Sequence, residues 1–182
     1  MKKIIQGGTL INEGRIFQAD ILLENDRIAE ISDHLSEAQF ENAEIINAQD
    51  HYVIPGVIDD QVHFREPGLT RKGDIAEGSR AAAAGGVTSF MDMPNVIPPT
   101  TTLRLLEEKQ EIGQRNSLVN YSFYLGATSE NIEEIRKADP RTTCGIKVFM
   151  GSSTGNMLVD RMASLRNIFG GTDSVSYTHL RA

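Results

Sequence analysis

The sequence predicts an α/β fold with parallel strands, preceded by a small all-β unit, and three observations carry that expectation. From residue 57 onward, short apolar strands alternate with amphipathic helices, a pattern that means parallel strands joined by crossover helices. Before that point the chain reads as short strands and tight turns only. Between the two patterns stands Pro55-Gly56, a dipeptide that interrupts regular structure.

In the first unit, Ile4-Ile5 and Thr9-Leu10-Ile11 read as strands flanking Gly7-Gly8, and Asn12-Glu13-Gly14 is a second turn signal. Asp20–Glu24 and Arg27–Ile31 around Asn25-Asp26 read as a hairpin. Glu44–Ala48 and His51–Ile54 are two further strands. After Pro55-Gly56, Val57-Ile58-Asp59 is a short strand that ends in polar residues. A helix over about Asp74–Ala84 closes at Gly85-Gly86, as a helix C-terminus prefers. Val87–Asp92 is the next strand, and Thr102–Arg115 is a helix with Leu103, Leu106 and Ile112 on one side. Asn120–Gly126 is a strand, Ser129 is placed to cap a helix running to Ala138, and Gly145–Met150 is a fourth strand. A last amphipathic helix spans about Leu158–Phe169.

Two architectures fit, an open doubly wound sheet and a closed (β/α)8 barrel. No G-x-G-x-x-G follows the first of these strands, which counts against a dinucleotide site. Polar residues cluster after each strand instead, at the end where barrels carry their sites. A full barrel takes about 250 residues, so residues 55–182 amount to about half of one. The last segment, Val175–Ala182, continues no earlier pattern. One back-translation of it resembles a transposon-end adapter used for sequencing libraries. The expectation is therefore a small β-domain over 1–54, a truncated barrel over 55–173 and a non-native tail over 174–182. Tyr177 and His179 accordingly receive no functional role.

Of the 182 residues, 40% are hydrophobic and 24% charged, enough to bury a core and to exclude disorder for the bulk of the chain. The formal net charge of −7 argues against a nucleic-acid partner, which needs a basic face. The single cysteine, Cys144, excludes an intramolecular disulfide framework and fits the cytoplasm. No apolar run reaches the roughly 18 residues that span a bilayer, and the start, Met1–Gly8, breaks too early for a signal peptide.

The chemistry concentrates in Pro55–Gly68, which brings acid, imidazole and guanidinium into a few residues. Strict alternation places Asp59, Gln61 and His63 on one strand face. Three polar side chains there are costly unless they bind something, and neutral imidazole is a good zinc ligand. On composition alone, a satisfied surface histidine is the favoured reading of His63. Lys147 lies between Ile146 and Val148, where burial costs several kcal/mol unless the amine is neutralised or paired. The alternative is a lysine at the open end of the strand. Cys144 reads as a small core residue, His34 and His51 as surface groups, and Glu107-Glu108-Lys109 and Glu133-Glu134 as solvated helix faces. Ser152, Ser153 and Thr154 lack a G-x-S-x-G elbow and read as a loop that shapes the surroundings of Lys147.

Val62-His63-Phe64-Arg65-Glu66-Pro67-Gly68 resembles the first barrel strand of the amidohydrolase-superfamily cyclic amidases, in the form seen in dihydroorotases. Ala84–Asn95 resembles that family's second strand with its M-P-N turn, followed by Pro98-Pro99. Gly145–Met150 resembles its fourth strand, Gly151–Leu158 the loop after it, and the N-terminal strands its flanking β-sandwich domain. The resemblance implies the N-terminal half of a TIM-type metal-dependent hydrolase barrel. It implies that His63 is a zinc ligand, that Gln61 stands where the family has a first histidine, and that Asp59 supports the site. It implies that Arg65 and Asn95 hold a substrate carboxylate and that Lys147, carboxylated by CO2, bridges two metals. The implied cofactor is Zn2+, one or two ions per chain. The implied activity is the reversible hydrolysis of dihydroorotate to N-carbamoyl-L-aspartate in pyrimidine synthesis. No nucleic-acid or membrane partner is expected, and a homodimer is open for the full-length protein. Two further histidine ligands and a proton-shuttling aspartate belong to later strands, so this polypeptide is expected to be inactive and, with an open edge, prone to aggregate. The alternatives are a dihydropyrimidinase or allantoinase, a non-catalytic scaffold of the same family, and an unrelated sugar-phosphate barrel.

Overall fold

The computed structural model describes residues 1–36, 40, 42–151, 157–172 and 176–179, the last four as backbone. The chain divides into two compact units, Met1–Pro55 and the residues from Gly56 onward. The expected loop residues Ser152, Ser153 and Thr154 lie outside the described residues.

In the first unit, β1 (Lys2–Asn12), β2 (Arg15–Glu24), β3 (Arg27–Ser32), β4 (Glu44–Asn47) and β5 (Tyr52–Val53) form one sheet. Its order is β3-β2-β1-β4, with β5 also paired to β1. The two strands read on either side of Gly7-Gly8 are one strand, bulged between Ile5 and Gly8. The cause is Asp20, 3% exposed, whose carboxylate accepts the Gly7 N–H at 2.7 Å and the Leu35 N–H at 2.8 Å. The bulge turns that N–H out of the ladder and onto the acid. Exposed His34 lies 3.6 Å from the same carboxylate, so the surface histidine does face an acid, one that sequence spacing did not reveal. The Asn25-Asp26 hairpin forms as read, with Asn25 at φ +57°. Ile4, Leu22 and Leu35 pack as one cluster, and Leu10, Ala19 and Ile21 as another.

The second unit runs β6 (Val57–Val62), α1 (Ile75–Ala84), β7 (Val87–Asp92), α2 (Leu103–Asn116), β8 (Asn120–Gly126), α3 (Ile132–Arg136), β9 (Gly145–Phe149), α4 (Met162–Gly170) and β10 (Ser176–His179). Its sheet is parallel, in the strictly sequential order β10-β9-β8-β7-β6. A doubly wound sheet reverses its order at a switch point, whereas a barrel adds each strand beside the last. The fold is therefore the N-terminal half of a (β/α)8 barrel with a separate β-rich unit. Val57 and Ile58 stay 43% and 61% exposed on β6, the strand at one end of that order.

Local chemistry sets the helix ends. The Asp74 carboxylate accepts the Glu77 N–H at 2.8 Å and the Thr102 hydroxyl accepts the Leu105 N–H at 3.3 Å, two N-caps. The first N–H of each of these helices goes to a distant carboxylate: Ile75 to Glu66 at 3.0 Å, Leu103 to Glu134 at 2.7 Å. Gly85 and Gly86 close α1, Gly86 at φ +82°. Two expected starts move. Asn131, not Ser129, precedes α3, and its amide is committed to the Thr101 and Gly126 carbonyls instead of capping the helix. Helix α4 starts at Met162 because Leu158 bridges Phe149 as extended chain. Ile75, Phe90, Leu106 and Phe123 form the core between sheet and helices, with Phe64 edge-on to Phe90 at 4.7 Å. A second cluster joins Leu125, Ile146, Val148, Leu165 and Ile168.

Candidate functional site

Strands β6 and β7 end side by side, and the loops beyond them carry His63, Arg65 and Asn95. The register slips between Asp59 and Val62, so a bulge interrupts the strict alternation that would put Asp59, Gln61 and His63 on one face. Asp59 is exposed and its carboxylate accepts the Gln61 N–H at 3.1 Å, a local turn bond. Gln61 is half-buried, and the neighbouring Asp60 carbonyl accepts the Tyr124 hydroxyl at 3.1 Å.

His63 is the first residue past β6, and its Nδ1 lies 2.8 Å from Asn95 Oδ1. An amide oxygen accepts, so the ring proton sits on Nδ1 and the lone pair on Nε2. Burial lowers the His63 pKa; the Asn95 bond raises it, the Arg65 cation lowers it, Asp92 raises it and Lys147 lowers it. The net direction is downward, toward the neutral imidazole that a metal requires. Residues Arg65, Asp92 and Lys147 thus act on the same imidazole, although 82 positions separate Arg65 from Lys147 in the chain. The Asn95 side chain, 9% exposed, presents its NH2 end as a donor.

Arg65 holds φ at +69°, a left-handed conformation that costs a non-glycine residue about 1–2 kcal/mol. The chain pays this at the sharp turn after His63, where the Arg65 carbonyl accepts the Leu69 N–H at 3.0 Å. Gly68 (φ +80°) presses this loop against the next: a Cβ there would stand 2.0 Å from the Ile97 carbonyl oxygen. The Ile97 N–H in turn donates to the Pro67 carbonyl at 3.2 Å. Arg65 and Asn95 therefore ride on two loops stitched to each other.

Lys147 is 1% exposed in the middle of β9, so the open-end alternative does not hold. Its ammonium lies 4.9 Å over the Phe149 ring, and burial pulls its pKa down to about 8.

Sequence reasoning missed Asp92 and Lys109. Lys109, expected on a solvated helix face, is 1% exposed. Its ammonium reaches Asp92 Oδ2 at 2.7 Å and the Met93 carbonyl at 2.8 Å, over the face of Phe123. Burial lowers the Lys109 pKa, and Asp92 works against that. The signal was present in the spacing: Leu106, Lys109 and Gly113 make up the buried stripe of α2. Cys144 is half-buried, and burial pushes its thiol up to about 11, as suits a packing residue.

Among the described residues no group of three His, Cys, Asp or Glu side chains is placed to hold a metal. His63 nevertheless fits a metal ligand: its Nδ1 is occupied by Asn95, the arrangement that orients a ligating imidazole and fixes its tautomer. Gln61 would add a neutral oxygen and Lys147 a nitrogen or, once carboxylated, an oxygen. A complete site needs donors beyond these.

A family model described as Dihydro-orotase-like matches residues 50–153. The chain is 36% identical over 151 residues to an allantoinase from Solibacter usitatus, covering 82% of this chain and 32% of that protein. It is 38% identical over 143 residues to a dihydroorotase from Methanosarcina acetivorans, covering 78% of this chain and 30% of that protein. Among solved structures, the L-hydantoinase (dihydropyrimidinase) from Arthrobacter aurescens matches with a TM-score of 0.89 at 31% identity, over 98% of this chain and 41% of that one. The chain spans about a third of the length of the curated relatives it matches.

Proposed function

The chain belongs to the dihydro-orotase-like family, whose named relatives are cyclic amidohydrolases, and from that premise we propose that the whole protein hydrolyses a ring amide. More finely, we propose dihydroorotate as substrate and N-carbamoyl-L-aspartate as product, in a cytoplasmic pyrimidine pathway. The family premise does not choose the substrate, since allantoinase, dihydroorotase and L-hydantoinase relatives stand at 36%, 38% and 36% identity. The observation that carries the reading is the 2.8 Å bond between His63 Nδ1 and Asn95 Oδ1. It joins a metal-ready imidazole to an amide donor, one stitched loop away from a guanidinium.

In this reading His63 offers Nε2 to zinc, with Gln61 and Lys147 as further donors and one or two ions in the intact protein. When bound, zinc supplies Lewis-acid polarisation of the amide carbonyl and an acidified water. Arg65 presents a planar fork to the ring carboxylate and the Asn95 NH2 adds a donor, which fixes how the ring lies. With its pKa near 8, Lys147 keeps an uncharged fraction at neutral pH. That amine, its ammonium proton already lost, can attack CO2: a C–N bond forms as one C=O π bond opens onto oxygen, a second proton leaves the nitrogen for solvent, and the product carbamate is an anion that could serve as a ligand.

A second reading, a hydantoinase or an allantoinase, draws on the 0.89 TM-score to the former and the 36% identity to the latter; a ring without a carboxylate would leave Arg65 without its anion. The test is the purified full-length gene product, with zinc per chain measured beside rates on dihydroorotate, allantoin and hydantoin. Preference for dihydroorotate supports the proposal. Zinc with preference for either other ring moves the substrate and leaves the chemistry. A folded product with neither zinc nor turnover overturns the metal roles and favours the scaffold.

A further inference from the structure

We infer that the buried Asp92 carboxylate, its charge balanced by Lys109, is a positioning device for His63 and Asn95, an inference that rests on the reading of that site given above. The two residues on either side of His63 are both held by the end of β7. The Val62 carbonyl accepts the Met93 N–H at 3.0 Å, and the Phe64 N–H donates to Asp92 Oδ1 at 3.0 Å. The other Asp92 oxygen meets the Lys109 ammonium at 2.7 Å, and that ammonium also donates to the Met93 carbonyl at 2.8 Å. Both charged side chains are 0% exposed. The Lys109 cation from α2 thus balances the carboxylate that grips the backbone just after His63, at a strand end that leads directly into Pro94-Asn95. Neither Asp92 nor Lys109 touches His63 or Asn95 through its side chain in any bond described above. The charge of Asp92 also acts on the His63 imidazole, but both double variants below remove it, and the positioning action runs through the backbone at Phe64.

A merely structural ion pair predicts something different from a positioning one, and two double variants separate them. Asp92→Asn/Lys109→Met and Asp92→Leu/Lys109→Met both remove the two buried charges. Only the first keeps an oxygen to accept the Phe64 N–H. In the full-length zinc-loaded protein, kcat/KM on its preferred ring amide is measured per folded molecule, together with zinc retention against a chelator. Positioning predicts that the Asn variant stays within about threefold of the parent. It predicts that the Leu variant falls at least about thirtyfold, mostly in kcat, and releases zinc at least about tenfold more readily. Equal activity and equal zinc retention in the two doubles would overturn the inference. Should the Leu variant not fold, Lys109→Met is compared with Asp92→Asn/Lys109→Met. The single variant strands the carboxylate and is expected about tenfold lower per folded molecule, and equality again overturns the inference. A parent that holds no zinc and turns over no ring amide would defeat the functional reading itself, an outcome visible before any variant is made.

Discussion

Replacing Gly68 by alanine tests whether the loops bearing Arg65 and Asn95 are stitched as closely as described. Two costs apply. Gly68 sits at φ +80°, where any L side chain is strained by about 1–2 kcal/mol. The new methyl would also stand 2.0 Å from the Ile97 carbonyl oxygen and 2.7 Å from its Cβ, well inside ordinary contact, so the two loops must part. Overpacking of that kind costs typically about 1–3 kcal/mol. The total is about 2–5 kcal/mol. Gly86 supplies a matched control, because its φ is +82° and a Cβ there meets nothing within 4 Å. Gly86→Ala should cost about 1–2 kcal/mol from the dihedral alone. Both substitutions stiffen the unfolded chain equally, so that effect cancels. Denaturant unfolding of the two full-length variants measures the difference, expected at about 1–3 kcal/mol. For Gly68→Ala the KM for a carboxylate-bearing ring amide should rise about tenfold while Gly86→Ala leaves it unchanged. Equal unfolding midpoints for the two variants would refute the close approach of Gly68 to Ile97.

Lys109→Met should destabilise the full-length protein by about 3–5 kcal/mol, because it leaves the Asp92 carboxylate buried without its cation; a loss under about 1 kcal/mol by denaturant titration would contradict the buried pair. Arg65→Lys should raise KM for dihydroorotate about tenfold with kcat within about threefold, since a point charge replaces a two-pronged donor; steady-state kinetics showing an unchanged KM would take Arg65 out of carboxylate binding. Lys147→Ala should lower metal affinity at least about a hundredfold and remove activity with it; unchanged zinc content removes Lys147 from the site. The Cys144 thiol, shifted from 9.0 to about 11, should carry about a hundredfold less thiolate at pH 8 than an ordinary cysteine. Its alkylation in the native protein should be slowed accordingly and restored on unfolding, and a native rate equal to the unfolded one would be inconsistent with its burial.

The barrel strands were legible because each is a short apolar run between glycine, proline or polar breaks. The bounds of Val87–Asp92 and Asn120–Gly126 agree with β7 and β8 residue for residue. What could not be read depends on contacts between distant positions. The bulge in β6 follows from its pairing with β7, and alternation along one strand cannot report a register slip against another. Helix α4 starts late because Leu158 is held extended by Phe149. Lys109 stands beside Glu107 and Glu108, so local charge suggested solvent. Its partner lies 17 residues earlier at the end of a strand. His63 and Asn95 were each singled out, but for separate duties. Their bond, across 32 residues, required the fold to bring two loops together.

The carboxylates of Glu66 and Glu134 have a consequence for how this half-barrel comes apart. Each satisfies the first N–H of a helix: Glu66 serves α1 within its own repeat, from the loop after β6, and Glu134 serves α2 from α3 in the next repeat. Glu66 also accepts from the Asn116 amide at the far end of α2, at 3.4 Å. The first three repeats are thereby coupled, because α3 lends an acid to the start of α2 and the loop after β6 lends one to its end. Hydrogen exchange should therefore find the first amides of α1 and α2 protected to the same depth as the interior of the repeats that supply their acids, so that the stretch from β6 to α3 melts as one cooperative block.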